Sequence, residues 1–498
     1  MRLSGSASML WLPTSLFTWL VWMGVCTYTL SVAVPTDGIS VVSVCVLLSA
    51  TCLFCLGSSA MLPGGYSSVY FVFLATLILF NASQAFLLPW IPSDADLLDP
   101  QYKYLMTRLF QQDVLVQTFS VVGAFISAFH SGALATAFAQ RKLPTVQQVR
   151  RIPETDRRMR ALSVWVLAMF ALAAPLGASQ IYSSLSIVME KGYFGLYDPT
   201  QQVFQSAFGV LATFALPAAI YLAYLRTGFL RYAGLSYVLL HGGAMLVMGF
   251  RAWGMLTLIA LAWTVHKTVF PISRRAVFGG VLMLVLLLPL IGATRNTALT
   301  ELDMKKVSEA YEEVGSPVFS LLSETGGSAG TVAWTISLVP AEKEFGFGRS
   351  YLTSLTAVVP NLAGGTHVST EQSLSSWLVW RVSPENAALG GGIGFSAIAE
   401  LYYNFGFIFG TLAALAAGAL LGGASTYFER NRQDPIVCAA AAVLLTFLPM
   451  YARSDSSMLF RPLVWFVLAP LYSSRVLGFR STRGKSEEGA PTQRRLQW

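Results

Sequence analysis

The chain has 498 residues, of which 54% are hydrophobic and 12% charged. A soluble domain carries about 25% charged residues, so this composition excludes an ordinary soluble enzyme and is typical of a membrane protein. The formal net charge of +8 is concentrated in short segments between apolar runs. That distribution indicates membrane topology first, anionic-lipid binding second and nucleic-acid binding last, and we expect no nucleic-acid partner.

Apolar runs long enough to span a bilayer recur along the chain and predict about twelve transmembrane helices. Their centres lie near residues 21, 48, 79, 127, 175, 214, 242, 260, 283, 411, 443 and 466. The runs are continuous rather than alternating, which favours helices over a β-barrel. The first run, from Met9 to about Val34, has no clear small-residue cleavage site, and we interpret it as a retained helix. We therefore predict an all-α, polytopic integral membrane protein.

The segments that this topology places in the cytoplasm hold 21 of the 33 Lys and Arg residues but only 6 of the 25 acidic residues. Because cytoplasmic loops are enriched in Lys and Arg, both termini are predicted to be cytoplasmic. The chain then divides into four parts. Residues 1–294 form nine spans with a basic cytoplasmic loop at 140–160, and residues 295–389 form one large outer loop. Residues 390–478 form three more spans, and residues 479–498 a disordered cytoplasmic tail.

The outer loop is far longer than a connection between two helices requires, which indicates structure and function of its own. The apolar spacing in "LTELDMKKVSEAYEEV" predicts a helix over 299–314, and a second short helix is expected over Tyr351–Val359, ending before Pro360. The stretch "ETGGSAGT" between them is predicted to form turns.

Several arginines lie at the predicted outer ends of spans, where charges are costly and usually functional. Arg251 lies in the turn between spans seven and eight, Arg295 follows span nine, and Arg453 lies between spans eleven and twelve. Guanidinium groups bind phosphate oxygens bidentately and stay charged, so a cluster here suits a phosphate or pyrophosphate group. Alternatively, each arginine snorkels to the interface, and Arg453 forms a local ion pair with Asp455. Arg461, two turns deeper, is interpreted as structural.

The stretch "GGGIGFSAIAELYYNFGFIFG", residues 390–410, begins the tenth span with a glycine-rich turn and a carboxylate, Glu400. Ser396, Glu400, Tyr403 and Asn404 are spaced to share one helix face. The pairs Gly406/Gly410 and Gly418/Gly422 are GxxxG spacings, which allow another helix to approach closely. The hypotheses for Glu400 are a catalytic role and a structural re-entry turn in which it pairs with an arginine.

Other candidates carry less support. Asp94 and Asp96 have a spacing that binds divalent metals in some sugar transferases, but no companion ligand is near, so we interpret them as a solvated loop and expect no metal. His367 is the only histidine of the large loop and a candidate general base. Walker A, Rossmann, GxSxG and HExxH motifs are absent from the sequence.

Four segments, in this order and topology, resemble a known family. They are "MEKGYFGLYD" (189–198), "MGFRAWGMLTLIALAW" (248–263), "FGFGRSYLTSLTAVVPNL" (345–362) and "GGGIGFSAIAELYYNFGFIFG" (390–410), followed by "YARSDSS" (451–457). Over residues 189 to 460 the chain resembles the Wzy-type oligosaccharide repeat-unit (O-antigen) polymerases of bacterial inner membranes.

The resemblance implies a GT-C-like membrane glycosyltransferase without cofactor or metal. Such an enzyme transfers a growing glycan from undecaprenyl pyrophosphate onto a fresh lipid-linked repeat unit at the periplasmic face. Its implied partners are undecaprenyl-pyrophosphate-linked oligosaccharides, membrane lipids and a chain-length-regulating co-polymerase. Arg251 and Arg453 are implied pyrophosphate contacts. The residues implied to line the site are Gly348, Arg349, Tyr351, Glu400, Tyr402, Tyr403 and Asn404. No catalytic base carries over, and Glu400, Asp455 and His367 are candidates by chemistry alone.

Three other functions remain open. A lipid-linked-oligosaccharide flippase also suits twelve spans, although no repeat of two halves is visible. The O-antigen ligase uses the same donor with a different acceptor. A membrane O-acyltransferase normally needs a histidine in a cytoplasmic-side site, where His266 is the only candidate.

Overall fold

A computed structural model of the protein describes residues 7–31, 40–92, 94–141, 153–197, 207–360 and 367–476. The regular elements within these ranges are helices. Those before the outer loop are α1 (Ala7–Ser31), α2 (Val41–Ser59), α3 (Val69–Ala82), α4 (Gln112–Arg141), α5 (Pro153–Lys191), α6 (Ala207–Ala212), α7 (Ala215–Leu225), α8 (Phe229–Val247), α9 (Arg251–Thr268) and α10 (Arg274–Thr294). Those of the outer loop are α11 (Met304–Val314), α12 (Pro317–Gly326), α13 (Ala329–Leu338), α14 (Arg349–Leu355), α15 (Val368–Glu371), α16 (Leu374–Val382) and α17 (Pro384–Ala388). The last helices are α18 (Ala397–Arg430), α19 (Pro435–Phe447) and α20 (Ser457–Pro462).

Nine helices in the described ranges are long and apolar enough to cross a membrane. The prediction of a polytopic all-α protein is confirmed, whereas the count of twelve spans is not. The other three predicted positions also hold helices: α8, α9, and the segment that begins with α20. α8 and α9 carry histidines and basic residues, which lower their apolar character, and the last segment is interrupted by a π-helix over Leu463–Leu468.

The helix ends that flank the predicted cytoplasmic loop at 140–160 contact the end of α18 and the end of the last described segment. Arg430 donates a hydrogen bond from Nη2 to the Gln140 carbonyl (2.5 Å), and Arg158 donates from Nε to the Ser474 carbonyl (3.0 Å). Most of the basic loop 140–160 and the predicted disordered tail 479–498 fall outside the described residues.

The centre of the bundle is the contact between α4 and α18. A Cβ atom at Gly418 would collide with the backbone of Phe129, and one at Gly132 with the carbonyl of Leu415. Because these glycines have no side chain, the backbones of α4 and α18 can touch, as expected for small residues at helix interfaces in membranes. The predicted role of the Gly418/Gly422 pair is confirmed, since Gly422 likewise packs against Ala133.

Gly406 has a different role: it breaks α18, with φ 64° and ψ −161°. The break removes the in-helix partners of two carbonyl groups. Tyr403 and Asn404 instead accept hydrogen bonds at their carbonyl oxygens from the amides of Gly346 (2.9 Å) and Phe347 (2.8 Å). A segment of the outer loop is thereby fixed across the break, which satisfies backbone groups that could not remain unpaired at this depth.

The outer loop is more helical than the sequence indicated. α11 begins at Met304 instead of residue 299, because Asp303 caps it by accepting from the Lys306 amide (2.8 Å). The "ETGGSAGT" stretch is not a long turn but the end of α12 and the start of α13. α13 is apolar and packs against α4 and α18. The predicted helix at 351–359 is present as α14 followed by a 3₁₀ turn over Thr356–Val358.

Candidate functional site

Arg251, Arg295 and Arg453 come together around one carboxylate, Glu324 of α12, and we call these four residues the arginine cluster. Arg251, the first residue of α9, forms a two-pronged ion pair: Nη1 donates to Glu324 Oε2 (2.8 Å) and Nη2 to Glu324 Oε1. Nη1 also donates to the Leu288 carbonyl (3.0 Å). The exposed fractions are 15% for the Arg251 side chain and 20% for that of Glu324. The pair is therefore largely shielded from water.

The pKa of Glu324 depends on the other two arginines as well. Burial raises its pKa, but the hydrogen bond from Arg251 and the charges of Arg251, Arg295 and Arg453 outweigh burial and hold the pKa below its usual range. Arg295 Cζ lies 4.8 Å from the centre of the Tyr193 ring, and its buried Nε has no hydrogen-bond partner among the residues that the structure describes. Arg453 Cζ lies 5.2 Å from the Phe80 ring centre. Among the described residues neither guanidinium forms an ion pair with a carboxylate. One guanidinium group thus contacts the carboxylate of Glu324, and two more lie close enough for their charges to act on it.

Two tight turns bring these arginines to the same place. Gly249 has φ 87°, and a Cβ there would press on Tyr193 (3.0 Å) and Arg295 (3.2 Å). Gly394 has φ 75°, and a Cβ there would lie 3.1 Å from the carbonyl oxygen of Arg453. Only glycine adopts these angles without strain and leaves room for the arginine backbones.

Two tyrosines lie beside the arginine cluster. The hydroxyl groups of Tyr193 and Tyr197 lie 2.7 Å apart, and the Tyr193 amide donates to the Arg295 carbonyl (2.9 Å). Burial, and then the hydrogen bond with Tyr193, raise the pKa of Tyr197, while the charges of Arg295 and Arg453 oppose that rise. Tyr197 therefore stays a neutral hydrogen-bonding group beside the arginines.

Glu400 lies in a second polar region. It is fully buried, and its partners are serines rather than an arginine. Ser350 Oγ (2.7 Å) and Ser456 Oγ (2.6 Å) donate to Oε1, and the Ser456 amide (2.8 Å) donates to Oε2. The re-entry turn is thus present, but the ion pair with an arginine that this hypothesis included is absent from the described residues. A buried carboxylate needs such donors, since it has lost its water.

Asp455 is buried in the same way and does not pair with Arg453. Its Oδ2 accepts from the amide (3.0 Å) and hydroxyl (3.1 Å) of Ser375, and its Oδ1 accepts from the amide (3.2 Å) and hydroxyl of Ser457. We call Glu400, Asp455 and these serines the carboxylate network. The turn from Arg453 to Ser456 therefore has one end in the arginine cluster and the other in this network.

The remaining predicted residues lie around the network. Asn404 donates from Nδ2 to Ser350 Oγ (2.7 Å) and accepts at Oδ1 from the Gly348 amide (3.0 Å). The Tyr351 ring stacks on Phe405, with centres 6.2 Å apart. Tyr402 is buried beside Phe345, whereas Tyr403 and the exposed Arg349 line an open cleft in the outer loop.

His367 caps α15. Its Nδ1 accepts from the amide (3.1 Å) of Ser369, and its Nε2 lies 2.9 Å from the Val359 carbonyl. Asp94 and Asp96 are exposed, and Asp96 Oδ1 accepts from the Leu98 amide (2.9 Å). No group of three or more potential metal ligands occurs in the part of the chain that the structure describes.

Sequence reasoning missed Glu324, the serine partners of Glu400 and the two tyrosines beside the arginine cluster. Tyr193 and Tyr197 stand in the segment "MEKGYFGLYD", which had been noted without a role for them. Glu324 gave no comparable signal, because one acid in a long polar loop has no local pattern that distinguishes it.

Comparisons with known proteins address the family to which the chain belongs. No curated protein and no solved structure shows significant similarity to this chain. The sequence model of the family "O-antigen polysaccharide polymerase Wzy" matches residues 14–475, nearly the whole chain. The protein therefore belongs to the Wzy family of O-antigen polysaccharide polymerases, multi-pass inner-membrane enzymes that act on lipid-linked oligosaccharide repeat units.

Proposed function

We propose that this protein polymerises undecaprenyl-pyrophosphate-linked repeat units at the periplasmic face, and that the arginine cluster holds the pyrophosphate of the donor. In the reaction, the acceptor hydroxyl oxygen forms the new glycosidic bond as the bond between the donor sugar and pyrophosphate breaks. The pyrophosphate keeps the electron pair, and the hydroxyl proton passes to a base.

The observation that carries the proposal is the charge of the arginine cluster. Glu324 balances one of its three guanidinium groups, so two positive charges remain for a ligand. A departing pyrophosphate gains negative charge in the transition state, and fixed cations stabilise that charge without reorganisation. Arg295 and Arg453 fit this role best, because Arg251 is already engaged by Glu324.

The carboxylate network has a different proposed role. Each oxygen of Glu400 accepts a hydrogen bond from within the protein, so Glu400 positions α14 and the 453–456 turn instead of contacting sugar. Asp455 does the same for the start of α16. His367 caps α15, which leaves the base unassigned. The finer features are also part of the proposal: twelve spans, a GT-C-like arrangement, catalysis without a metal, and cooperation with a chain-length-regulating co-polymerase.

The glycan pattern of a deletion strain tests the function. Loss of the O-antigen ladder with one repeat unit left on lipid A core supports the polymerase. Uncapped core would identify a ligase instead, and repeat units retained on the cytoplasmic leaflet would identify a flippase. Complementation with the intact gene is the control.

The side of the membrane is tested separately. A reporter fused at Gly327, between α12 and α13, is expected to read periplasmic. A reporter at Gln147, outside the described residues, is expected to read cytoplasmic, because its loop is basic. A cytoplasmic signal from Gly327 would move the arginine cluster to the wrong side for this reaction.

A further inference from the structure

A cleft of about 630 Å³ opens in the outer loop, separate from the arginine cluster. Helices α14, α15 and α16 and the first turns of α18 form its walls. Its charged and aromatic side chains are Lys343, Arg349, Glu371, Trp377, Trp380 and Tyr403. The volume is within the range of pockets that hold small organic ligands.

The aromatic side chains of the cleft suit carbohydrate. Trp380 is 58% exposed although it is a large apolar group, and the rings of Trp377 and Tyr403 lie 6.3 Å apart at 37°. Sugar rings present flat C–H faces that pack on such rings, while their hydroxyl groups bond to polar side chains at the edge. Serine, threonine and glutamine residues supply that edge here.

The charges of the cleft are unbalanced. Lys343 Nζ lies 4.2 Å from the centre of the Trp377 ring and 5.5 Å from that of Tyr403. Within the described ranges neither Lys343 nor Arg349 forms an ion pair. Burial, and then the charge of Arg349, lower the pKa of Lys343, and the charge of a bound anion would act in the opposite direction.

The nearby acids do not cancel this charge. Glu371 lines the cleft but is exposed. Glu342 is taken by Arg381, which donates from Nε to Oε2 (2.6 Å) and from Nη2 to Oε1 (2.7 Å). The cleft therefore offers two cations and one exposed carboxylate to a ligand.

The cleft also adjoins the carboxylate network. Ser350 lines the cleft and donates to Glu400 behind it, and Asp455 binds the first turn of α16. Both contacts lead to the turn that starts at Arg453. The cleft is thus linked to one end of this turn, and the other end, Arg453, belongs to the arginine cluster.

We propose that the cleft binds a saccharide that bears a carboxylate, and that this saccharide is part of the acceptor repeat unit. The indole rings stack on the sugar faces, and Lys343 and Arg349 meet the carboxylate. The assignment as acceptor site rests on the polymerase function proposed above, whereas binding itself does not.

Binding is tested with purified full-length protein in lipid nanodiscs. The probes are tetragalacturonate, which is acidic, and maltotetraose, which is neutral and of equal length, each titrated by calorimetry. Tetragalacturonate is expected to bind, and Trp380→Ala and Lys343→Ala each to weaken its binding at least about tenfold. The matched controls Trp90→Ala and Lys305→Ala change exposed residues outside the cleft and should leave it unchanged.

Equal binding of both probes, or binding that Trp380→Ala and Lys343→Ala leave intact, would overturn the proposal, as would no binding of tetragalacturonate. Inorganic pyrophosphate, titrated into the same proteins, separates this result from the proposed function. Arg453→Ala should weaken pyrophosphate binding without changing that of tetragalacturonate. If tetragalacturonate does not bind but Arg453→Ala weakens pyrophosphate binding, the saccharide site is wrong and the polymerase proposal is unaffected. If tetragalacturonate binds but the pyrophosphate result fails, the saccharide site remains and the polymerase proposal loses its support.

Discussion

The arginine cluster and the carboxylate network are neighbours joined by one turn, yet they differ in how their charged groups are balanced. The cluster gathers three guanidinium groups on one carboxylate and leaves charge uncompensated. The network buries two carboxylates, Glu400 and Asp455, and satisfies them with serine hydroxyl groups and backbone amides. A region whose polar groups are all paired serves the fold, whereas surplus positive charge supports our proposal that the arginine cluster binds the donor pyrophosphate.

The largest expected effect concerns Glu400. Glu400→Ala leaves two serine hydroxyl groups and an amide without their acceptor, at about 1–3 kcal/mol for each unsatisfied group, so a loss of stability of about 2–4 kcal/mol is expected after partial rearrangement. Glu400→Gln keeps one acceptor oxygen and should lose less. Thermal unfolding in detergent measures both, with exposed Glu385→Ala as the control.

A Glu400→Ala protein that melts like the wild type but makes no polymer would reverse the comparison. Glu400 would then belong with the substrate contacts, and the serines would be mere neighbours.

The arginines come next. Charge-assisted contacts to phosphate are worth about 1.5–3 kcal/mol, so Arg453→Ala or Arg295→Ala should reduce the polymerisation rate about ten- to a hundredfold without loss of expression. Lysine should restore only part of the rate, because it keeps the charge and loses the planar fork. The rate is measured with purified protein and lipid-linked repeat units, and Arg108→Ala, an exposed arginine, serves as control.

Arg251→Ala should behave differently from these two variants, because it also removes the ion-pair partner of Glu324. Undiminished polymer from well-expressed Arg453→Ala and Arg295→Ala proteins would remove the arginine cluster from the reaction.

A smaller effect is expected at Arg461, which donates to the Ala357 carbonyl and lies 5.6 Å from the Trp465 ring centre. It ties the 3₁₀ turn that follows α14 to α20 and lies in neither region. Arg461→Ala should lower stability by about 1–2 kcal/mol and leave the rate per folded molecule within about twofold. A rate loss as large as that of Arg453→Ala would extend the cluster to this position.

The smallest effect is the pH dependence of Glu324. Its pKa is lowered in the folded state, so the stabilisation is fully present above the unfolded value of about 4.3 and is lost as pH falls through the folded value. The melting temperature of the wild type should therefore fall below about pH 4.5 more steeply than that of Glu324→Gln. Glu309→Gln, an exposed helix residue, is the control. Parallel curves for all three proteins would mean that the arginines do not act on Glu324.

Sequence alone predicted the helical membrane fold and placed Arg251, Arg295 and Arg453 on one side, because span counting and the distribution of basic residues determine sidedness. It did not predict the partners of Glu400. Ser350 and Ser456 lie 50 and 56 residues away along the chain, and such contacts depend on how helices pack.

The break in α18 was also missed. One glycine in an apolar helical pattern is ordinarily tolerated, so Gly406 looked like its neighbours at 410, 418 and 422. Nothing local distinguishes a glycine that packs from one that bends the chain, since the difference lies in the loop segment that fills the gap.

That break has a consequence for engineering hybrid polymerases. Residues 346–348 of the outer loop form hydrogen bonds with the helix end at 403–406. A Cβ at Gly346 would collide with the Tyr403 ring. An outer loop transplanted from a relative would therefore lack its hydrogen-bond partners unless the first half of α18 were transferred with it. The exchangeable module of this enzyme is the loop together with the half-helix through Gly406, and swaps that cut between them should yield misfolded chimaeras.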